Sequence, residues 1–439
     1  MTFSDLPEAL AWLDAHIDFE STMPTRRSLP SLDRMHALAE LLGDPHTAYP
    51  VIHITGTNGK GSTAAMTTSL LVAMGLTVGT YTSPNLSRVN ERIARNGEPI
   101  DDESFVEVLD SLARIEGFMD GAPTRFELLT AAALAWFADE AVDVAVVEVG
   151  LGGTWDCTNI VNAAVSVVTN ISYDHTEVLG PTLEDIARDK AGIFTSGGTA
   201  IVGETDPSLI ALFRRAADEV GCREFWVRGI DFACTSNRLA VGGRLVDLRT
   251  PGAAYGELLV PLHGSHQGDN AACAVAAAEA FFGSPLPEDV VEEGLAGVRV
   301  PGRLEVISRH PLVLVDGAHN VAGMMVLARS LTDEFATEGE TTAVVGMLTG
   351  RDPATMLDAL VSAGVRSVIA CAPRSMRALP VGAVAAAAAS LGMEVLVAAS
   401  PTEAVRRAVE RSGPDDRVVV CGSLYVVADA REALLREPG

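Results

Sequence analysis

Short runs of aliphatic and β-branched residues alternate along this chain with longer stretches in which apolar positions recur at helical spacing. In the first half the runs are Val51 to Thr55, Thr77 to Thr82, Val142 to Val149 and Ala163 to Asn170, and helical patterns start at about Lys60, around Asp102, around Phe126 and at Leu183 to Ala191. Runs this apolar suit strands covered by helices on both faces, so the pattern predicts a parallel α/β sheet after a polar, helix-prone leader. From Ile230 to Pro261 the text changes to short β-like pieces broken by turn residues, which predicts an antiparallel appendage, and Gly268 to Phe282 reads as an alanine-rich helix. Gly297-Val298-Arg299-Val300-Pro301-Gly302 then interrupts the pattern with the residues that punctuate linkers. Beyond it a new alternation predicts strands at Val313 to Asp316, Thr342 to Gly346, Ser367 to Ala370, Glu394 to Val397 and Arg417 to Cys421, with Ala385 to Ala389 in a helix. The expected organisation is a P-loop ATPase-like parallel-sheet domain with a small β appendage over residues 1–297, and a smaller Rossmann-like α/β domain over 298–439.

Length supports two domains, since 439 residues exceed what one hydrophobic core usually holds. The formal net charge of -26 argues against nucleic acid or an anionic membrane as partner, so an anionic substrate needs a local positive site. The six cysteines form no CxxC pair, and Met1 to Asp5 carries no basic leader, which together predict a cytoplasmic protein with reduced thiols. Charge also contains the sharpest signal. Of 32 basic residues only Lys60 and Lys190 are lysines, and a lysine can become a neutral, reactive amine where arginine stays charged.

Lys60 lies in Gly56-Thr57-Asn58-Gly59-Lys60-Gly61-Ser62, directly after an apolar run and before a helical pattern. Backbone amides at such a helix start, with the helix dipole behind them, bind anions, and a lysine adds charge at the outer phosphates. The spacing departs from the standard phosphate loop, because Ile54 stands where its first glycine belongs and Gly61 separates Lys60 from Ser62. A bound triphosphate needs a divalent cation, for which Ser83, Glu148 and His175 are candidate ligands at the ends of neighbouring runs. A strand-end Glu or His is commonly a solvated loop residue, and three in one sheet shift the balance toward a site. Lys190, outside any glycine loop, could add carbon dioxide and supply a carbamate oxygen, or form a simple salt bridge. In the second half, Arg303 near the linker could reach a γ-phosphate on domain closure, and Asn320 could simply cap a helix.

Together these pieces resemble the dihydrofolate synthase and folylpolyglutamate synthase family, a branch of the Mur ligases. The matching segments are GTNGKGS at 56–62, TSPNLSRVNERI at 82–93, TRFE at 124–127, EVGLGG and WDCTN within 148–159, DHTEVLG at 174–180, DKAGI at 189–193, HQGDNAA at 266–272, PGRLE and DGAHN. The resemblance implies that Asn58, Gly59, Lys60, Gly61 and Ser62 hold ATP phosphates, that Ser83, Glu148 and His175 hold magnesium, and that Lys190 is carbamylated. It implies that Asn270, Arg303 and Asp316 contact ATP, and that Thr124, Arg125, Phe126, Glu127, Trp155, Asp156 and Cys157 line a pterin site. The activity implied is ATP-dependent addition of L-glutamate to the carboxylate of dihydropteroate, tetrahydrofolate or both through an acyl phosphate. Lys60, Lys190, His175 and Arg303 are the expected catalytic group, and a monomer suffices because two closing domains can complete one site.

Four positions depart from the family's usual text: Asn85 stands where His is common, Thr154 where Arg is common, Cys157 where Ala is common and Val321 where Pro often follows DGAHN. The first three flank the expected acceptor site. The alternatives are a Mur-type amino-acid ligase on another carboxylate and a P-loop ATPase that is no ligase. Against the first, only about fifty residues precede the loop, fewer than an ordinary domain needs. L-glutamate dependence separates the second.

Overall fold

The structure is a computed structural model that describes residues 3–19 and 31–436. The leader is helical at Leu6–Asp14 and Asp33–Leu41, while Met1, Thr2 and residues 20–30 of that reading lie outside the described residues. The chain divides into two compact units: Met1–Asn237, Leu245–Val260 and Gly268–Val298 form the first, and Arg238–Arg244, Pro261–Gln267 and Arg299–Gly439 the second. Two short pieces that the sequence reading keeps in the first domain therefore cluster with the second.

The first unit is built on strands β1 (Val51–Thr55), β2 (Val78–Tyr81), β3 (Ile93–Arg95), β4 (Glu98–Pro99), β5 (Val144–Glu148), β6 (Ala163–Val168), β7 (Thr199–Val202) and β8 (Glu224–Val227), in the order β4-β3-β2-β5-β1-β6-β7-β8. From β2 to β8 all neighbours are parallel. At the other edge β3 pairs antiparallel with β2 and β4, so the sheet is mixed where the sequence reading expects parallel strands alone. Asn96 and Gly97 have φ of 53° and 83°, the left-handed pair that a tight hairpin needs, and this Asn-Gly signal was there to be read. Strands β7 and β8 were also unforeseen; β8 is half-exposed at the sheet edge and too mixed in character for an apolar-run search.

Every residue of β1 is buried. On one face Val51, Ala145 and Val147 share a core with Phe105, Leu109, Leu129 and Phe137 of the helices Asp102–Ile115 and Arg125–Asp139. On the other, Val168, Ala200 and Val202 share one with Ile186, Phe194 and Phe213. Removing an aromatic side chain such as Phe137 from water contributes roughly 1.5–3 kcal/mol. Because β5 and β6 lie on opposite sides of β1, the carboxyl ends of these three strands form the switch point where open α/β sheets bind ligands.

Strands β9 (Ala233–Ala240), β10 (Gly243–Arg249) and β11 (Ala254–Val260) make the appendage, in the order β11-β10-β9. Two residues join β9 to β10, a connection only an antiparallel pair allows. The second unit has strands β12 (Glu305–Arg309), β13 (Leu312–Val315), β14 (Thr341–Val345), β15 (Ser367–Ala370), β16 (Glu394–Val397) and β17 (Arg417–Cys421) in the order β12-β13-β17-β14-β15-β16. All are parallel except β12, an antiparallel edge strand. Among the described residues no helix is long and apolar enough to cross a membrane.

Candidate active site

The loop after β1 takes its shape from two glycines. A Cβ on Gly56, whose φ is 149°, would lie 1.8 Å from Thr169 Oγ1, and one on Gly59, at φ 83°, would lie 2.5 Å from Asn270 Oδ1. The end of β6 braces the loop's first half. The Thr57 N–H donates to the Asn170 carbonyl at 2.9 Å, the Asn58 N–H to Asn170 Oδ1 at 3.0 Å, and Thr169 Oγ1 and Asn170 Nδ2 donate to the Asn58 carbonyl at 2.6 and 2.8 Å. Asn58 thus has its backbone tied to β6 and acts on loop shape. Gly59 caps the helix Lys60–Ala73, so the amides from Gly59 to Ser62 are those that a helix start leaves without an intrahelical acceptor. Lys60 folds over this loop, its Nζ donating to the Gly56 and Thr57 carbonyls at 3.2 and 3.4 Å.

Glu148, the last residue of β5, is buried beside the helix start. Its Oε2 accepts from the Ser83 N–H at 3.2 Å and stands 3.6 Å from where a Cβ on Gly61 would sit. Ser83, Glu148 and Gly61 therefore converge. His175 adopts a left-handed φ of 49° at the start of the short helix Thr176–Leu179, with Nε2 3.6 Å from Asp174 Oδ1. Among the described residues no three His, Cys, Asp or Glu side chains form a ready cation site.

Lys190 ends the helix Leu183–Lys190 and is 4 % exposed, a depth at which an ammonium is costly. Burial, with the charge of Lys60 added, lowers its pKa from 10.5 to about 7, while Asp189, Asp174 and Asp156 pull the other way. The same burial raises Asp189 to about 6 against the pull of Lys190. The two lysines of the chain thus share one electrostatic neighbourhood, which no sequence spacing indicated. Thr169 and Asn170 are the residues here to which the sequence reading assigns no role, because neither carries a motif of its own, and Asp189 enters it only as part of the DKAGI segment.

The expected acceptor residues divide. Phe126 and Asp156 meet around Gly150, where a Cβ would lie 2.4 Å from Phe126 Cζ and 3.2 Å from Asp156 Oδ2. Asp156 is buried, accepting from the Thr158 hydroxyl at 2.6 Å and the Leu151 N–H at 2.9 Å, and burial raises its pKa. Cys157 is buried with Sγ 3.1 Å from Thr130 Oγ1, and desolvation drives its thiol pKa up, so it is a packed thiol rather than a nucleophile. Thr124 and Glu127 form a capping box on the helix Arg125–Asp139, with Glu127 also paired to Arg34 at 3.1 Å. Arg125 reaches Asp14 at 2.9 Å, and Trp155 packs with the core of Ile186 and Phe194. Asn85 Oδ1 accepts from the buried Arg92 Nε at 2.7 Å.

In the second unit Arg303 and Asp316 are neighbours across one turn. A Cβ on Gly317 would lie 2.1 Å from Arg303 Nη1, and the Asp316 carboxylate accepts from the Leu304 and Ala318 N–H groups at 2.9 and 2.8 Å. Asn320 caps the helix Val321–Asp333, accepting from the Gly323 N–H at 2.8 Å.

Comparison with known proteins adds to this geometry. Residues 54–278 match the Mur ligase middle domain and residues 302–424 the Mur ligase glutamate ligase domain. The chain is similar to the dihydrofolate synthase/folylpolyglutamate synthase of Mycobacterium tuberculosis, at 42% identity over 71% of this chain and 68% of that one. It is similar in structure to the M. tuberculosis folylpolyglutamate synthase complexed with ADP, with a TM-score of 0.90, 36% identity and 99% of each chain covered. A bifunctional folylpolyglutamate synthase/dihydrofolate synthase with Mn, AMPPNP and L-glutamate bound superposes with a TM-score of 0.85 at 30% identity over 98% of each chain.

Proposed function

The chain belongs to the dihydrofolate synthase/folylpolyglutamate synthase family of the Mur ligases, and from that premise we propose how its residues divide the work of ATP-dependent glutamate ligation. The reaction joins L-glutamate to a pterin carboxylate. A carboxylate oxygen attacks the γ-phosphorus of ATP, ADP leaves, and the glutamate amine then attacks the acyl phosphate, losing a proton and expelling phosphate.

The observation that carries the assignment is the convergence at the switch point. Gly59 to Ser62 open a helix beside Glu148, while Lys190 is buried in the electrostatic neighbourhood of Lys60. In this reading the amides of Gly59 to Ser62 hold the phosphates, and Lys60, swinging from its carbonyl contacts on Gly56 and Thr57, offsets charge on the transferring phosphoryl group. Asn270, pressed on Gly59, steadies the loop from the helix His266–Phe282. Arg303 and Asp316 are assigned to ATP from the second unit.

The donor set fits a divalent cation. A carboxylate, a hydroxyl and an imidazole are the chemistry such an ion takes; Glu148 accepts from the Ser83 backbone N–H, and a glycine at position 61 leaves room above the carboxylate. Ser83, Glu148 and His175 would hold it, and when bound, magnesium neutralises phosphate charge. Two residues of the ordinary anionic or imidazole class are few for this task, and Lys190 as a carbamate would add an anionic oxygen. Its lowered pKa favours the neutral amine, whose lone pair adds carbon dioxide with release of one proton. Phe126, Asp156 and Cys157 are assigned to the pterin, with Thr124 and Glu127 shaping the helix start behind them. Arg125 and Trp155 face other partners, so their part in that site is the weaker. The six unpaired cysteines favour a reducing cytoplasm.

The test is phosphate release with magnesium, comparing dihydropteroate and tetrahydrofolate, each with and without L-glutamate. Turnover that requires both a pterin and glutamate is expected, and the active pterin names the synthase activity. Turnover indifferent to glutamate would overturn the reading.

A further inference from the structure

The glycine loop after β5 and the segment carrying Lys190 touch backbone to backbone. A Cβ on Gly153 would lie 2.7 Å from the Asp189 carbonyl oxygen and 2.9 Å from Lys190 Cα, and one on Gly192 would lie 2.8 Å from Thr154 Cα. Neither neighbour is a flexible side-chain end, so only glycine permits this approach at either position. Polar groups then lock it. The Thr154 N–H and hydroxyl both donate to the Asp189 carbonyl, at 3.0 and 2.9 Å, and Asn159 Nδ2 donates to the carbonyls of Thr154 and Gly192 at 3.2 and 3.1 Å. The carbonyl of Asp189 lies at the end of a helix, where the last carbonyls have lost their i+4 donors and take bonds from other segments.

We propose that Thr154 and Asn159, seated on Gly153 and Gly192, are positioning residues that hold Lys190 in register with Glu148. The loop they anchor begins just after Glu148, so the clasp links a carboxylate at the end of β5 to an amine at the end of a separate helix. The Thr154 hydroxyl gives the clasp a side-chain contact beside its backbone bond to the same carbonyl. The inference rests on the role assigned to Lys190 above, and acts on the lysine's place rather than on its chemistry.

The presence of only two lysines makes the test direct. Lysine labelled with carbon-13 at Cε gives two side-chain signals in the full-length protein, assigned with Lys60→Arg. Thr154→Val keeps the shape and removes the hydroxyl. It should move the Lys190 signal, leave that of Lys60, and raise the apparent KM for magnesium about tenfold with the KM for glutamate unchanged. Thr154→Ser should restore both. Gly153→Ala should produce the larger displacement, and if it fails to fold, Thr154→Val decides. A Lys190 signal and magnesium KM within twofold of the parent protein in Thr154→Val would overturn the proposal, as would a moved signal with an unchanged KM. Failure of the ligase reading shows separately, as loss of glutamate-dependent turnover in the parent protein, and the lysine spectrum still decides the clasp.

Discussion

Lys60 and Lys190 are alike in chemistry and opposite in how the fold reaches them. The region around Lys60 is local: a strand, four residues of loop and a helix start lie consecutively, and the lysine bonds carbonyls three and four residues before it. The region around Lys190 is assembled from separate pieces. The glycine loop after β5, Asp156 and Asp174 come to it from distant positions in the chain, and burial is the largest cause of the fall in its pKa to about 7. A site made of neighbours in sequence can be recognised by motif. One made of distant segments is defined by packing, and its chemistry follows from the dielectric that packing creates.

The largest break in this comparison should come from exchanging the two cations. Lys190→Arg inserts a permanently charged, bulky guanidinium where a neutral amine is favoured, and should lower ligation by about a thousandfold; Lys60→Arg keeps the charge at the phosphate loop and should lose about tenfold. Steady-state ligation with saturating ATP, pterin and glutamate measures both. Equal losses would mean that charge alone matters at Lys190.

Next comes the glycine that shapes the local region. Gly59→Ala combines a left-handed φ with a clash on Asn270 and should raise the KM for ATP at least about tenfold while lowering stability by about 2–3 kcal/mol. Gly75→Ala, at φ 87° with open space around it, isolates the backbone cost at about 1 kcal/mol and should leave the KM for ATP alone.

A pH effect distinguishes the buried polar group of the local region. His53 in β1 has Nε2 2.8 Å from Thr158 Oγ1, whose own hydrogen goes to Asp156 at 2.6 Å, so Nε2 carries the imidazole proton. Burial lowers the His53 pKa from 6.5 to about 3. Between those values the unfolded chain binds the extra proton, so this contribution is complete above the unfolded pKa and is lost as pH falls below it. Urea unfolding should show about 1.4 kcal/mol less stability at pH 5.5 than at pH 7.5 from this residue, and His53→Asn should remove that share of the slope.

The smallest effects test the caps. Thr124→Ala and Asn320→Ala each remove a side-chain bond at a helix start, one in each unit, and should cost about 1 kcal/mol in thermal or urea unfolding. If Thr124 shapes the acceptor site, only its variant should also raise the KM for the pterin.

Much of the fold was legible because buried parallel strands are short apolar runs. β1, β15 and β17 begin and end where the runs do, and so, although it is a partly exposed edge strand, does β16. The edges were less legible: β8 and β12 are half-exposed and mix polar with apolar residues, since one side of an edge strand has no partner to cover it. Of the candidate site, the residues in motifs could be named from the sequence, while the parts played by Thr169, Asn170 and the Asp189 carbonyl could not. Their contribution is a hydroxyl, an amide or a carbonyl placed against a loop from elsewhere in the chain.

By itself the sequence determined the strand–loop–helix around Lys60 and the family, because the first depends on residues close together and the second on many ordered segments at once. Tertiary structure decided that Glu127 would also pair with Arg34, that Arg125 would turn to Asp14, and that Gly153 and Thr154 would lie against Lys190. The physical reason is the same throughout. A backbone conformation is encoded by a few adjacent residues, whereas burial and hydrogen-bond pairing depend on what other segments the completed core brings to within a few ångströms.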